Sequence, residues 1–327
     1  MVRSGSTDVR QPKAGGLARL LVRIICRTGK HLSQKWHDRV CYGLSRVSPR
    51  AGFHCSSQIG RMAARLRLQG ITARDVETIL GPLPAQRCLA IAQTISATTW
   101  MQRIHRRLVW RVGYDWLCRH IVSHSSDHFQ RMNSDKKPTI LLFMHSGPFL
   151  AIVATLHQLK IPALVMTRGQ YHPGSTTLQR CTVPIADPSC RSAAFKCALE
   201  KLRSGGIVMW GLDGAHKGSQ VDVPLFGRSY TFARGPFAAA RLTDATLVPV
   251  TASWMSRGRF GVWANREARL STRSGLPPRY SKHEGMAVDQ ARAVETATWF
   301  EGHYRKHPEE IPRDVIRDLL LGEVSIR

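Results

Sequence analysis

The first turn of the chain that could carry chemistry is His145-Ser146-Gly147. It follows the apolar run PTILLFM and precedes a segment that Pro148 opens. Proline suits the first position of a helix, because its φ is already near the helical value and it has no N–H to leave unpaired. Ligands gather at the carboxyl ends of strands in open α/β sheets. His145 is therefore a candidate for acid–base chemistry, with a structural role as the alternative.

A second turn of this kind follows the apolar run from Ile207 to Leu212. It reads Asp213-Gly214-Ala215-His216-Lys217-Gly218. Its two glycines would let the backbone approach a ligand, and Lys217 could meet an anionic group such as a phosphate. An ordinary glycine turn is the alternative explanation.

The elements around these turns indicate an α/β fold, because short apolar runs alternate with amphipathic segments. The predicted strands are Thr139–Met144, Ala163–Thr167, Ile207–Leu212, Thr246–Ala252 and Phe260–Ala264. The predicted helices are Pro148–Gln158, Arg191–Arg203, Ala233–Thr243 and Val288–Lys306. We expect a mostly parallel sheet flanked by helices, with both turns at the carboxyl ends of strands.

The front of the chain has helical periodicity instead. Helices are predicted at Ser33–Val47, Ile59–Leu68, Thr72–Leu80, Pro84–Thr94 and Thr99–Ile121, and a polar link follows from His124 to Lys137. The predicted organisation is a flexible leader (1–16), a basic helical section (17–136), an α/β domain (137–311) and a C-terminal tail helix (312–327).

The segment LARLLVRIICR, residues 17–27, has an apolar stripe on one helical face and Arg19, Arg23 and Arg27 on the other. A helix of this kind suits an anionic membrane surface, where arginines meet lipid phosphates. Packing of the apolar stripe on the protein's own core is an equal alternative. The polar residues 1–16 predict neither a signal peptide nor a transmembrane helix.

The charge of the chain points to polyanionic partners. The 48 Lys and Arg against 22 Asp and Glu give a net charge of +26 and a pI near 10.8. Anionic membranes, acidic carrier proteins and nucleic acids all qualify, although high arginine usage can also reflect genomic base composition. No nucleic-acid-reading motif is present, which argues against nucleic acid as the partner. The eight cysteines form no C-x-x-C pair, so we predict neither a metal site nor disulfides.

Residues 202–250, LRSGGIVMWGLDGAHKGSQVDVPLFGRSYTFARGPFAAARLTDATLVPV, carry a resemblance to a known family. They resemble the late lipid A acyltransferases, the lauroyl and myristoyl transferases of the lysophospholipid acyltransferase superfamily. The shared order is a strand, an acidic loop, a V-P-F-F-G-like segment, Thr231, Gly235, a small-residue helix and a V-P strand. PTILLFMHSGPF and ATWFEGHYRKHPEEI extend the resemblance over roughly residues 100–311.

The resemblance implies a glycerolphosphate acyltransferase-like sheet and a catalytic histidine at His145. The family's motif continues with four residues and then Asp or Glu, which orients the imidazole and stabilises its cation. Here Leu150 occupies the acidic position. Three explanations stay open: another acid, best Asp213, replaces it; His145 acts alone on a nucleophilic acceptor such as an amine; or the chain is a catalytically degenerate lipid-binding or regulatory protein.

The activity that the resemblance implies is acyl transfer from an acyl thioester to a hydroxyl or amine of a membrane-associated lipid or glycolipid. The donor would be acyl carrier protein or coenzyme A, with no bound cofactor and no metal. His145 and Asp213 would be catalytic. The expected substrate contacts are Gly147, Arg168, Gly214, His216, Lys217, Thr231 and Arg234. The expected location is peripheral, on the cytoplasmic face of the bacterial inner membrane.

Overall fold

The computed structural model of the chain describes residues 43, 71–112, 114–167, 182–184, 188–213, 219–255, 259–264 and 282–322. Several sequence predictions fall outside these residues. They are the leader, the predicted helix with Arg19, Arg23 and Arg27, the predicted helix Ile59–Leu68, the predicted helix Ser33–Val47 apart from residue 43, and the expected substrate contacts Arg168, Gly214, His216 and Lys217.

The core of the described structure is a seven-stranded sheet in the order β1-β9-β8-β2-β5-β3-β4. Its strands are β1 (Ile121–Ser123), β2 (Thr139–Phe143), β3 (Ala163–Thr167), β4 (Thr182–Pro184), β5 (Ile207–Gly211), β8 (Thr246–Trp254) and β9 (Phe260–Ala264). The five strands from β8 to β4 run parallel to one another. β9 pairs antiparallel with β8, and β1 pairs parallel with β9. The predicted α/β fold with a mixed, mostly parallel sheet is confirmed.

Helices cover both faces of this sheet. They are α1 (Ala73–Leu80), α2 (Ala85–Val112), α3 (Tyr114–Cys118), α4 (Ser126–Ser134), α5 (Leu150–Gln158), α6 (Pro188–Arg203), α7 (Gly235–Thr243), α8 (Lys282–Lys306) and α9 (Arg313–Gly322), with a 3-10 turn at Pro308–Glu310. No helix in the described ranges combines the length and the apolar character that crossing a membrane requires.

The alternation of side chains along β2 divides the core into two parts. Ile140 and Leu142 pack with residues of α6, α7 and α8. Leu141 and Phe143 pack on the opposite face with residues of α5. All five residues of β2 are buried, as expected for a central parallel strand that both layers of helices cover. β2 is thus held from both sides, which fixes the position of the turn that follows it.

The chain before β2 differs from the sequence predictions in two places. The predicted helices Pro84–Thr94 and Thr99–Ile121 form one helix that ends at Val112, and the chain then forms α3 and the edge strand β1. The predicted polar link from His124 to Lys137 contains α4. Helix propensity alone did not predict either feature. In the case of α4, packing of Phe129 and Met132 into the core stabilises the helix.

An antiparallel hairpin was not predicted at all. β6 (Gln220–Leu225) and β7 (Arg228–Ala233) pair outside the main sheet. The burial pattern of β6 alternates strictly between exposed and buried residues, and its turn has Phe226 and Gly227 at positive φ. The alternating residues of VDVPL were a usable signal for a strand.

Candidate active site

The register of two neighbouring strands brings the two predicted turns together. Phe143, the last residue of β2, pairs with Gly211, the last residue of β5, in a parallel ladder. His145 and Asp213 each lie two residues beyond these partners. The Leu212 N–H donates to the Phe143 carbonyl at 2.9 Å, so the pairing continues into the turns. His145 and Asp213 are consequently side by side at the carboxyl edge of the sheet.

Asp213 binds His145 through both of its oxygens. The backbone N–H of His145 donates to Oδ2 at 2.8 Å, and the Nδ1 atom of the imidazole lies 2.6 Å from Oδ1. The Asp213 side chain is buried, with 6% of its surface exposed, whereas 45% of the His145 side chain is exposed. The carboxylate thus lies beneath a histidine that solvent can reach.

The charge state of Asp213 determines the tautomer of His145. Burial alone would raise the pKa of the Asp213 carboxyl. The His145 charge and the hydrogen bonds from His145 outweigh it, so that the pKa is lowered. An ionised carboxylate only accepts hydrogen bonds, so Nδ1 must carry the proton that lies between the two groups. In the neutral imidazole the free lone pair is then on Nε2, the atom that a general base needs.

Gly147 and Gln102 hold the turn that carries His145. Gly147 has φ +48°, and a Cβ there would lie 2.4 Å from the Ala252 carbonyl oxygen of β8, so only glycine fits this close approach. The Gln102 amide of α2 donates to the His145 carbonyl at 3.2 Å and to the Gly147 carbonyl at 2.7 Å. Two carbonyls of the turn are therefore tied to a helix from the front of the chain.

The imidazole itself packs among aromatic rings and a glycine. The rings of Phe143 and Phe149 meet it edge to face, with centroids 5.2 Å and 4.8 Å away. A Cβ on Gly211 would lie 3.1 Å from the Cε1 atom of His145 and 3.2 Å from the ring of Phe143. A larger residue at Gly211 would collide with the imidazole of His145. Gly211 therefore leaves room for the ring orientation in which Nδ1 contacts Asp213.

Comparison with known proteins identifies the family. Residues 40–275 match the family model described as bacterial lipid A biosynthesis acyltransferase. The chain belongs to this family. The matched region begins nearer the N-terminus than the resemblance read from the sequence, which covers roughly residues 100–311, and it ends before α8. A search of curated proteins returned no match. Family membership makes the chain an acyltransferase of the lipid A biosynthesis type.

Leu150, where the resemblance read from the sequence predicts the motif carboxylate, is the first residue of α5 and is 1% exposed. It packs in the apolar cluster between α5 and the sheet. The carboxylate beside His145 comes instead from the turn after β5, the neighbouring strand. α5 begins two residues later than predicted, and the Pro148 carbonyl accepts the Ala151 N–H at 2.7 Å.

Two further predicted substrate contacts lie in the described structure, and both bind other protein groups. The Thr231 hydroxyl on β7 donates to Asp222 Oδ1 of the paired strand at 2.9 Å. The Arg234 Nε donates to Asp289 Oδ2 of α8 at 2.9 Å, and Nη2 lies 2.9 Å from the same oxygen in the ion pair. Contact of either residue with substrate stays a prediction.

Sequence reasoning missed Gln102, Gly211 and the aromatic pair around the imidazole. Gln102 lies in a predicted helix, 43 residues before His145. No motif in the sequence around Gln102 indicates that it contacts the turn of His145. Gly211 directly precedes the Leu212-Asp213 pair, and its position on the neighbouring strand could have indicated a close approach. Across the described residues, no cluster of three or more His, Cys, Asp or Glu side chains is arranged to hold a metal ion.

Proposed function

We propose that this acyltransferase moves a fatty acyl group from an acyl thioester to a hydroxyl or amine of a membrane-associated lipid or glycolipid. The donor is an acyl carrier protein or coenzyme A. The observation that carries the proposal is the 2.6 Å contact between His145 Nδ1 and Asp213 Oδ1, which supplies the orienting carboxylate that Leu150 cannot supply. It favours this function over a degenerate binding protein, because a lost catalytic site has no reason to keep a buried, ionised partner for the histidine.

The proposed reaction begins with Nε2 of His145 as the general base. It removes the proton from the acceptor hydroxyl or amine as the acceptor attacks the thioester carbonyl carbon. The ionised Asp213 stabilises the imidazolium that forms. When the tetrahedral intermediate collapses, the carbon–sulfur bond breaks, and the proton passes from Nε2 to the leaving thiolate. The products are the acylated acceptor and the free thiol of the carrier.

The test is a transfer assay with the full chain. Purified protein is incubated with acyl thioesters of labelled chain, on acyl carrier protein and on coenzyme A, together with a lipid extract. We expect labelled lipid with the wild-type chain and background labelling with His145→Ala. Equal labelling by both proteins would remove His145 from the mechanism. Absence of labelling with every donor would instead favour a lipid-binding or regulatory role.

The proposal includes peripheral attachment to the cytoplasmic face of the bacterial inner membrane. The basic stripe of residues 17–27 and the net charge of +26 support it, since anionic lipid attracts such a helix. We expect replacement of Arg19, Arg23 and Arg27 by glutamine to weaken binding to vesicles with anionic lipid by about tenfold or more. Vesicle co-sedimentation measures this. Binding that does not change would favour packing of this segment on the protein's own core, and equally strong binding to neutral vesicles would contradict attraction between the arginines and anionic lipid.

Arg168, Gly214, His216, Lys217, Thr231 and Arg234 remain the proposed substrate contacts, with Gly147 in the turn of His145. A basic surface also suits an acidic carrier protein as donor, because opposite charge speeds encounter. The comparison of the two donors in the transfer assay distinguishes acyl carrier protein from coenzyme A.

A further inference from the structure

A buried carboxylate outside the His145 site holds two arginines. Asp289 of α8 is 0% exposed. Its Oδ2 accepts from Nε of Arg234 at 2.9 Å and lies 2.9 Å from Nη2 of the same guanidinium, and its Oδ1 accepts from Nε of Arg241 at 2.9 Å. Arg234 directly precedes α7 and Arg241 lies in its last turn. Asp289 thus ties both ends of α7 to α8, and we call these three residues the Asp289 cluster.

A glycine on α8 leaves room for the Asp289 cluster. Gly285, one helical turn before Asp289, lies against the Arg241 guanidinium, and a Cβ there would be 3.0 Å from Cζ. Taking three charged groups out of water is costly, and replacing such a cluster with apolar residues is often neutral or stabilising. Stability alone therefore does not explain the cluster, which suggests that it fixes a geometry.

What the cluster fixes is the base of the loop that contains Asp213. The Ala233 N–H donates to the Leu212 carbonyl, and the Arg234 N–H donates to the Ser219 carbonyl, both at 3.0 Å. Leu212 directly precedes Asp213, and Ser219 is the next described residue after it. The backbone at Ala233 and Arg234 therefore binds the chain on both sides of Asp213.

A second contact connects the same backbone to β5. A Cβ on Gly235 would lie 2.6 Å from the ring of Trp210. The backbone at the start of α7 therefore packs directly against that side chain. Trp210 is 8% exposed and lies three residues before Asp213. Movement of the chain at Arg234 would be transmitted to the end of β5.

We propose that Asp289 is a positioning residue for acyl transfer. Through the Arg234 side chain it fixes the backbone at Ala233 and Arg234, which in turn holds Leu212 and Asp213 in register with His145. The inference rests on the proposed function of the His145–Asp213 pair. Asp289 itself contacts neither member of that pair in any described hydrogen bond. Its effect is on the orientation of the imidazole, where misplacement by about 1 Å can cost roughly 100-fold in rate.

The first measurement is amide hydrogen exchange, which needs no activity. In Asp289→Asn the Arg234 guanidinium loses its ionised partner, so the Ala233 and Arg234 amides should exchange about tenfold faster or more, relative to the amides of β2. Glu295→Gln is the matched control, since Glu295 is exposed on the same helix. Arg234→Lys provides the same test if the asparagine variant does not fold. Unchanged exchange at both amides in the folded variant would overturn the proposal.

The second measurement is kinetic and separates positioning from general destabilisation. Well below its melting temperature, Asp289→Asn should lower kcat by about 10- to 100-fold with a much smaller change in KM. In an Asp213→Asn background the same substitution should have little further effect, because its route of action is already removed. Equal losses in both backgrounds would contradict the route through Asp213. If the wild-type chain transfers no acyl group, the proposed function fails, while the exchange result still decides the positioning claim.

Discussion

Asp213→Asn is expected to lower kcat/KM for acyl transfer by about 10²- to 10⁴-fold while the protein stays folded. An asparagine amide can donate to Nδ1 of His145, which would place the imidazole proton on Nε2 and remove the general base. It also carries no charge to stabilise the imidazolium. The measurement is the rate of labelled lipid formation at saturating and limiting thioester, with circular dichroism and thermal melting on the same samples.

Asp135→Asn is the control for this substitution, because it makes the same chemical change at an exposed aspartate after α4. We expect it to retain wild-type kinetics. The pH dependence of stability provides a second check on Asp213. The pKa of Asp213 is lowered, so the carboxylate stays ionised to lower pH than an ordinary carboxyl group. Its contribution to stability is present above the ordinary carboxyl pKa and is lost as the pH falls through the lowered pKa. A transfer rate of Asp213→Asn equal to that of the wild type would exclude Asp213 from the chemistry.

Leu150→Glu, which places an acidic residue where the family resemblance predicts one, is expected to destabilise the fold without raising the rate. Leu150 is 1% exposed in the apolar cluster under α5, and the Asp213 carboxylate already occupies Nδ1 of His145. A glutamate there would be buried without a prepared partner, so its pKa would rise and the free energy of unfolding would fall by on the order of 3 kcal/mol. Chemical denaturation with a parallel transfer assay measures both effects.

Two further variants separate the causes. Leu150→Gln introduces a polar group of nearly the same size without a charge, and Leu150→Met keeps an apolar side chain of similar volume. We expect stability to decrease from Met to Gln to Glu, since only the last buries an ionisable group. A glutamate variant that is as stable as wild type and transfers faster would show that the helix position still serves His145.

The sequence predicted the two residues of the candidate site but not how the fold brings them together. His145 and Asp213 were each predicted at the carboxyl end of a strand, because their turns directly follow apolar runs of strand length. Asp213 was proposed as the replacement carboxylate from the family's matching loop. Their pairing distance requires β2 and β5 to be neighbours in register, which no single-sequence pattern specifies. Strand order depends on how the whole core packs.

Other contributors are tertiary in origin and left little local signal. Gln102 reaches the turn of His145 from α2, and its own segment looks like any helix. Arg234 was predicted as a contact for a phosphate or carboxylate group of the substrate, and this stays a prediction. Its described partner is Asp289, 55 residues further along the chain. Pairings over such separations become visible only when α7 and α8 pack together.

The most direct test of the His145–Asp213 pair is a double-mutant cycle on kcat/KM for one thioester and one acceptor. The four proteins are wild type, His145→Ala, Asp213→Asn and the double variant. If Asp213 acts through His145, each single substitution causes a large loss, and the double variant is no slower than His145→Ala within a few-fold. Losses that multiply in the double variant, or an Asp213→Asn protein as fast as wild type, would contradict a catalytic pair assembled from the ends of β2 and β5.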